Sequence, residues 1–164
     1  MSKESAAINA SPLIYLAKAE ELGTLGEIFE KVYVPFPVYE ETQRKGGSLD
    51  AWKIRSADFL QITDLDSSEE KLMNDIAYHY NLGEGESAVI SICKSRGIDY
   101  ALLADIDAIR RAKSLGVSVL EPVDIGKIAY ANSAGKYYNY LIKLSTSAGY
   151  HPEKIEKELK KLRV

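Results

Sequence analysis

The sequence has little cysteine and no long hydrophobic run. Cys93 is the single cysteine, so an intramolecular disulfide is excluded and an intracellular location is favoured. It lies in the apolar run 88–93, which is typical of a buried helix face and predicts a core residue. No apolar run approaches the ~18 residues of a membrane-spanning helix, and the first residues lack the basic and apolar segments of a secretory signal. We expect a cytoplasmic protein that makes no contact with a membrane.

The chain also lacks an excess of positive charge. Its 21 basic and 24 acidic residues give a net charge of −3, which predicts no strong overall attraction to nucleic acid. Any contact with RNA or DNA therefore requires a local basic patch or bound metal ions. The hydrophobic fraction of 46% and the charged fraction of 27% are ordinary globular values, and 164 residues suffice for one domain with a full core.

Strands alternate with helices through residues 1–120, which predicts an α/β fold with a mostly parallel sheet between two helical layers. The predicted strands are an apolar run ending at Ile8 and the segments 31–35, 59–62, 100–104 and 117–120, with 59–62 at an edge. Ser11 is predicted to cap the first helix, with Pro12 at its first position. We expect residues 1–125 to form this α/β/α unit and residues 126–164 to form a helical extension packed on it.

Polar residues follow several of the predicted strands at the point where each strand ends. Asn9 ends the first strand, Glu41 follows the second by six residues, and Asp105 directly follows the strand 100–104. Because the carboxyl ends of parallel strands meet at one edge of a sheet, these side chains are expected to converge there. Glu84 and Glu86, in the first turn of the predicted helix 84–96, and Asp107 share that edge.

Carboxylates clustered in this way repel one another unless a divalent cation neutralises them, and their hard oxygen ligands suit Mg²⁺ or Mn²⁺. Each acid also has a purely structural explanation. Glu84 and Glu86 favour a helix macrodipole, Asp105 can cap the helix that follows it, and Glu41 can be an exposed acid. The interpretation as a metal site therefore rests on their joint placement.

Four segments, in this order and spacing, resemble the motifs of PIN-domain proteins, and in particular the archaeal and bacterial PIN-like family DUF3368. The resemblance covers roughly residues 6–125. The segments are NASPLI at 9–14, VPFPVYEE at 34–41, LGEGESA at 82–88 and LLADIDAIRRA at 102–112.

This resemblance implies a small nuclease that uses Mg²⁺ or Mn²⁺ to cleave single-stranded or structured RNA. Transferred residue by residue, the catalytic and metal-binding set is Asn9, Glu41, Glu86 and Asp105. Asp107 is a further candidate ligand, and Glu84 and Ser11 are candidates for the outer shell. Small prokaryotic members of the family include VapC-type toxins, which implies an antitoxin partner, and the family's habits imply a homodimer.

The sequence departs from the family pattern at two positions. Most active PIN domains have aspartate where this chain has Asn9, and an amide oxygen can bind a cation but brings no charge and cannot act as a base. Ile106 replaces the second of two adjacent acids. These departures support a second hypothesis, in which the chain is a degenerate PIN-like module that binds RNA or a protein partner without cleavage.

A tract of aromatic and basic residues lies in the predicted C-terminal extension. Two explanations remain open for it, namely stacking on nucleic-acid bases or packing of the terminal helices and a dimer face. The tract contains Tyr130, Tyr137, Tyr138 and Tyr140 with Lys127, Lys136 and Lys143.

Overall fold

The computed structural model describes residues 3–162, which form five strands and ten helices. The strands form one parallel sheet in the order β3-β2-β1-β4-β5. The α/β prediction is confirmed, and the segment predicted as an edge strand does lie at an edge. The strands are β1 Glu4–Ile8, β2 Phe29–Pro35, β3 Leu60–Thr63, β4 Tyr100–Leu102 and β5 Val119–Leu120.

The sheet order places a crevice at the end of β1. The chain builds outward from β1 to β2 and β3, then returns to add β4 and β5 on the other side of β1. Ala7 in β1 pairs with Tyr33 on one side and with Ala101 on the other. In parallel sheets, ligands bind at the carboxyl ends of the strands where the strand order reverses, and here that position is immediately beyond Ile8.

Helices flank the sheet, and their bounds follow local sequence signals. The first five are α1 Ala10–Lys18, α2 Gly23–Ile28, α3 Phe36–Lys45, α4 Ser48–Ser56 and α5 Ser67–Tyr80. The others are α6 Glu84–Arg96, α7 Ile106–Ser114, α8 Pro122–Ala129, α9 Ala134–Thr146 and α10 Pro152–Leu162. No helix in the described part of the chain has both the length and the apolar character that crossing a bilayer requires.

Helices α5 and α6 have strong sequence signals at their ends. Asp66 and Glu69 form a reciprocal capping box at the start of α5, with N–O distances of 2.8 and 3.0 Å. Gly97 ends α6 in the left-handed conformation, at φ 64°. Between its ends, α6 buries every residue from 87 to 93, and it contacts β1, β2 and β4. It is therefore a central helix of the core.

The prediction that Ser11 caps α1 is wrong. Helix α1 begins at Ala10, and Asn9 occupies the N-cap position without a capping bond from its side chain. The backbone oxygen of Asn9 accepts from the N–H of Leu13 at 3.3 Å. Pro12 is tolerated at the third helical position because its missing N–H is one of the four that have no intrahelical partner. The earlier start of the helix leaves the Asn9 amide available for another role.

The C-terminal helices pack on the α/β unit through a buried carboxylate. Glu21, which is 7% exposed, accepts hydrogen bonds from the hydroxyl groups of Thr24 and Tyr130, both at 2.7 Å. It also pairs with Lys143 at 2.9 Å. These donors hold the pKa of Glu21 below its usual value although burial opposes them. The domain boundary at residue 125 stays a prediction.

The aromatic tract contributes mainly to packing within this extension. Tyr140 is fully buried, and its hydroxyl donates to the carbonyl oxygen of Pro122 at 2.6 Å. Tyr137 is also buried and donates to Glu158 at 2.9 Å. Tyr138, by contrast, is 49% exposed. Of the two explanations that the sequence left open, the packing of terminal helices therefore accounts for the buried part of the tract.

Candidate active site

A cavity of about 420 Å³ lies at the crevice beyond Ile8, and we call it the acidic pocket. Its walls come from the start of α1, from α3, from the start of α6 and from the N-cap of α7. Six of the predicted site residues line it: Asn9, Ser11, Glu41, Glu84, Glu86 and Asp105. Asp107 instead lines a neighbouring cavity. The remaining lining residues are Pro37, Arg44, Lys45, Gly83 and Gly85.

Asn9 is held at the innermost side of this pocket by the sheet. Its backbone N–H donates to the carbonyl oxygen of Leu102 at 3.1 Å, which continues the β1–β4 pairing by one residue. The residue is 7% exposed, and its side-chain oxygen Oδ1 is buried without a hydrogen-bond donor. An unsatisfied buried amide oxygen is costly, by roughly 1–3 kcal/mol. Such an atom is typical of a site that binds a cation or water.

Gly85 gives this oxygen the space it needs. A Cβ atom on Gly85 would lie 2.8 Å from Oδ1 of Asn9 and 3.5 Å from Oε2 of Glu41. Both oxygens therefore face the first turn of α6 at a point where no side chain intervenes. The sequence analysis gave Gly85 no role. The one signal in the sequence is that Gly85 lies in the first turn of a predicted helix, although alanine would favour the helix more than glycine does.

Each of the three inner carboxylates has a partner within its own element. Glu41 pairs with Lys45 at 2.8 Å, one turn further along α3. Glu86 accepts from the backbone N–H of Gly83 at 3.4 Å, and Asp105 caps α7 by accepting from the N–H of Ala108 at 3.0 Å. With the side chains so placed, no three histidine, cysteine or acidic residues within 3–162 form a group that could hold a metal ion.

The electrostatics of the pocket nevertheless favour a cation. Burial raises the pKa of Glu86, and the charges of Asp105, Glu41 and Asp107 raise it further. The oxygen Oε2 of Glu86 is buried and, like Oδ1 of Asn9, has no donor. The pocket thus holds two unpartnered oxygen atoms among repelling carboxylates. An all-oxygen donor set with excess negative charge fits Mg²⁺ or Mn²⁺.

Basic residues at the rim of the acidic pocket were also missed by the sequence analysis. Arg44 and Lys45 lie in the last turn of α3 and line the pocket beside Glu41. Cations there stabilise the negative end of the helix macrodipole, so their presence in the sequence has an ordinary explanation. Their position beside the acids nevertheless gives the pocket an anion-binding side.

No cysteine or histidine lines the acidic pocket, and Ser11 supplies its one hydroxyl group. Cys93 is 4% exposed, and burial raises the pKa of its thiol to about 12, so it is a core residue as predicted. His79 and His151 are exposed, and neither lines the acidic pocket. The polar side chains of the pocket are therefore carboxylates, the Asn9 amide, the Ser11 hydroxyl and the two basic residues at its rim.

Comparison with known proteins identifies the family of the chain and a solved structure of similar fold. The family described as "DUF3368: PIN domain" matches residues 5–125. Among solved structures, the chain is similar to a PilT N-terminus domain protein, SSO1118, from the hyperthermophilic archaeon Sulfolobus solfataricus P2. The sequence identity is 20% and the TM-score is 0.53, with 74% of this chain and 89% of that chain covered, so this likeness shows the fold alone. The comparison with curated proteins gives no match.

Proposed function

Because the chain belongs to the DUF3368 family of PIN domains, we propose that it is a metal-dependent endoribonuclease whose acidic pocket hydrolyses RNA phosphodiester bonds. The observation that carries the proposal is the pair of unpartnered oxygens, Oδ1 of Asn9 and Oε2 of Glu86, in one pocket with two further carboxylates. Buried oxygens without a hydrogen-bond donor destabilise a core, whereas a cation site uses such oxygens as ligands.

Four residues would hold the ion: Asn9, Glu41, Glu86 and Asp105. Bound Mg²⁺ or Mn²⁺ supplies positive charge that polarises the phosphate and makes a water more acidic. In the metal-free chain, Lys45 pairs with Glu41 at 2.8 Å, so an ion that binds Glu41 would displace Lys45. Lys45, once displaced, and Arg44 would then lie beside the pocket as donors for the phosphate oxygens. Asp107 as a ligand, and Ser11 and Glu84 in the outer shell, stay predictions.

The proton of the attacking water needs an acceptor among the side chains of the pocket. Asn9 cannot serve because its amide is not a base. The carboxylate of Glu86 is one candidate, because burial and the charges of neighbouring acids raise its pKa in the metal-free chain.

A second candidate function is a module that binds RNA or a protein partner without cleaving. The neutral side chain of Asn9 favours it, and so does the Glu41–Lys45 ion pair, which lowers the negative charge available to a cation. An antitoxin partner, a homodimer and a cytoplasmic location stay predictions for both candidates.

Cleavage of single-stranded RNA in Mn²⁺ tests the first function. We expect the wild-type chain to cut a labelled oligoribonucleotide and Asp105→Asn to lose the activity. Asparagine caps helices about as well as aspartate, so α7 should keep its N-cap. Asp75→Asn is the matched control because Asp75 is an exposed residue of α5 outside the acidic pocket.

Equal cleavage by Asp105→Asn and Asp75→Asn would contradict the assignment of the acidic pocket. Absence of both cleavage and calorimetric Mn²⁺ binding in the wild type would support the non-cleaving module. If Asn9→Asp then created activity, the neutral amide would be the reason that the natural chain does not cut.

A further inference from the structure

A second cavity, of about 480 Å³, lies beside the acidic pocket and has a different chemistry. We call it the Arg–Tyr cavity. Its walls come from the end of α5, the segment that leads into α6, and one face of α7. Its lining residues are Tyr80, Asn81, Leu82, Asp107, Arg110, Arg111 and Ser114.

Arg111 and Tyr80 form a stacked pair in this cavity. The guanidinium carbon of Arg111 lies 4.0 Å from the centre of the Tyr80 ring, which is a close cation–π contact. Tyr80 is the last residue of α5, and the left-handed conformation of Asn81, at φ 53°, ends the helix there. The ring is therefore held at a helix terminus, 36% exposed, where a planar ligand can extend the stack.

Neither arginine of the cavity is used in an ion pair. Within residues 3–162, no carboxylate pairs with the guanidinium of Arg110 or of Arg111. Arg96 shows what a structural arginine looks like in this fold, since it binds Glu69, Thr63 and the backbone of Asp64. Apart from the contact of Arg111 with Tyr80, the two arginines on α7 have no comparable partner among residues 3–162. Guanidinium groups of this kind bind phosphate oxygens and stack on bases.

The Arg–Tyr cavity and the acidic pocket are neighbours along two segments. Leu82 of the cavity precedes Gly83 of the pocket, and Asp107 of the cavity lies two residues after Asp105 of the pocket. The two cavities therefore adjoin at the starts of α6 and α7, where one extended strand can contact both. This adjacency determines which ligand the cavity suits.

We propose that the Arg–Tyr cavity binds one nucleotide of single-stranded RNA next to the bond held in the acidic pocket. Its base stacks on the Arg111–Tyr80 pair, and Arg110 binds its phosphate. The adjacency to a scissile bond rests on the proposed nuclease function, whereas the binding itself requires neither metal nor cleavage. An aromatic ring beside a cationic groove is the arrangement that proteins use for single strands.

Binding can be measured without cleavage by fluorescence anisotropy, with a labelled single-stranded 12-nucleotide RNA and excess chelator. We expect Arg111→Ala and Tyr80→Ala each to raise Kd about fivefold or more, as the loss of one base stack predicts. Tyr80→Phe keeps the ring and should bind as the wild type does. Lys113→Ala is the matched control, because it removes one positive charge from α7 outside the cavity.

Phosphate binding by Arg110 and base stacking on Arg111 and Tyr80 can be distinguished by varying the salt concentration and by removing the bases. Arg110→Ala should lower the slope of log Kd against log salt concentration by about 0.7, the value for one phosphate contact on a single strand. With an abasic RNA of equal length, Arg111→Ala and Tyr80→Ala should lose most of their effect. Thermal melts of all variants check that the exposed substitutions leave the fold intact.

Failure of this proposal is distinguishable from failure of the nuclease proposal. If Arg110→Ala, Arg111→Ala and Tyr80→Ala bind RNA no more weakly than Lys113→Ala, the cavity is not a nucleotide site, whether or not the chain cleaves. If the chain never cleaves but binding depends on these residues and on the bases, the nucleotide site stands and the nuclease proposal fails.

Discussion

Substitution of Gly85 by alanine separates the stability of α6 from the function of the acidic pocket. The new Cβ would lie 2.8 Å from Oδ1 of Asn9, closer than such atoms approach in proteins, so the Asn9 amide must move. Alanine in a helix gains up to about 1 kcal/mol over glycine, whereas overpacking costs about 1–3 kcal/mol. We expect a net change in the free energy of unfolding between about zero and −2 kcal/mol.

Gly135→Ala is a close control, because Gly135 is also the second residue of its helix, α9. No atom lies within 4 Å of the position of its Cβ, so only the helix preference acts there. We expect this variant to melt about 1–4 °C above the wild type, since 1 kcal/mol shifts Tm by about 2–4 °C in a chain of this size. Gly85→Ala should melt below Gly135→Ala.

Thermal melts with Mn²⁺ give the functional half of the test. A ligand present at 100 times its Kd stabilises the folded state by about 2.7 kcal/mol, which corresponds to about 5–11 °C here. Wild type and Gly135→Ala should show that shift, and Gly85→Ala should lose most of it because Asn9 is displaced. An equal Mn²⁺ shift in all three chains would refute the reasoning that Asn9 and α6 together form the metal site.

Three further predictions concern the rest of the fold. Arg96→Ala should destabilise the chain by about 2 kcal/mol or more at pH 7, since it leaves the Glu69 carboxylate buried without its partner. Arg96 holds the pKa of Glu69 at about 2, so the ion pair contributes fully to stability above the unfolded-state pKa near 4 and loses its contribution as the pH falls towards 2. The melting temperatures of wild type and Arg96→Ala should therefore approach each other in acid. Gly126→Ala would put a Cβ 2.3 Å from the buried Tyr140 ring and should cost about 3 kcal/mol or more in denaturant unfolding. Cys93 should react with thiol reagents only at the rate of unfolding, because its buried thiol has a pKa of about 12.

Features of the fold that depend on local signals could be predicted from the sequence. The bounds of α6 match the predicted helix 84–96 because acidic residues in its first turn and the left-handed Gly97 after its last turn mark its two ends. The start of α1 was missed because Ser11 and Asn9 are both good N-cap residues, and only the β1–β4 pairing decides between them.

Most residues that line the acidic pocket could be predicted from the ends of the strands, but the hydrogen bonds and ion pairs of those residues could not. The carboxyl ends of parallel strands bring Asn9, Glu86 and Asp105 together, and the parallel sheet could be predicted from alternating strands and helices, whereas the strand order could not. The position of Asp107 in the other cavity depends on the phase of α7, which sequence spacing left open. The Arg111–Tyr80 contact joins residues far apart in sequence, so no local pattern marks it.

Anomalous diffraction from crystals soaked in Mn²⁺ tests the central claim most directly. We expect one manganese peak in the acidic pocket, with Asn9, Glu41, Glu86 and Asp105 as the residues that hold it. We also expect that Lys45 no longer pairs with Glu41 in that crystal. A pocket without manganese at saturating concentration, with the Glu41–Lys45 pair intact, would contradict the account.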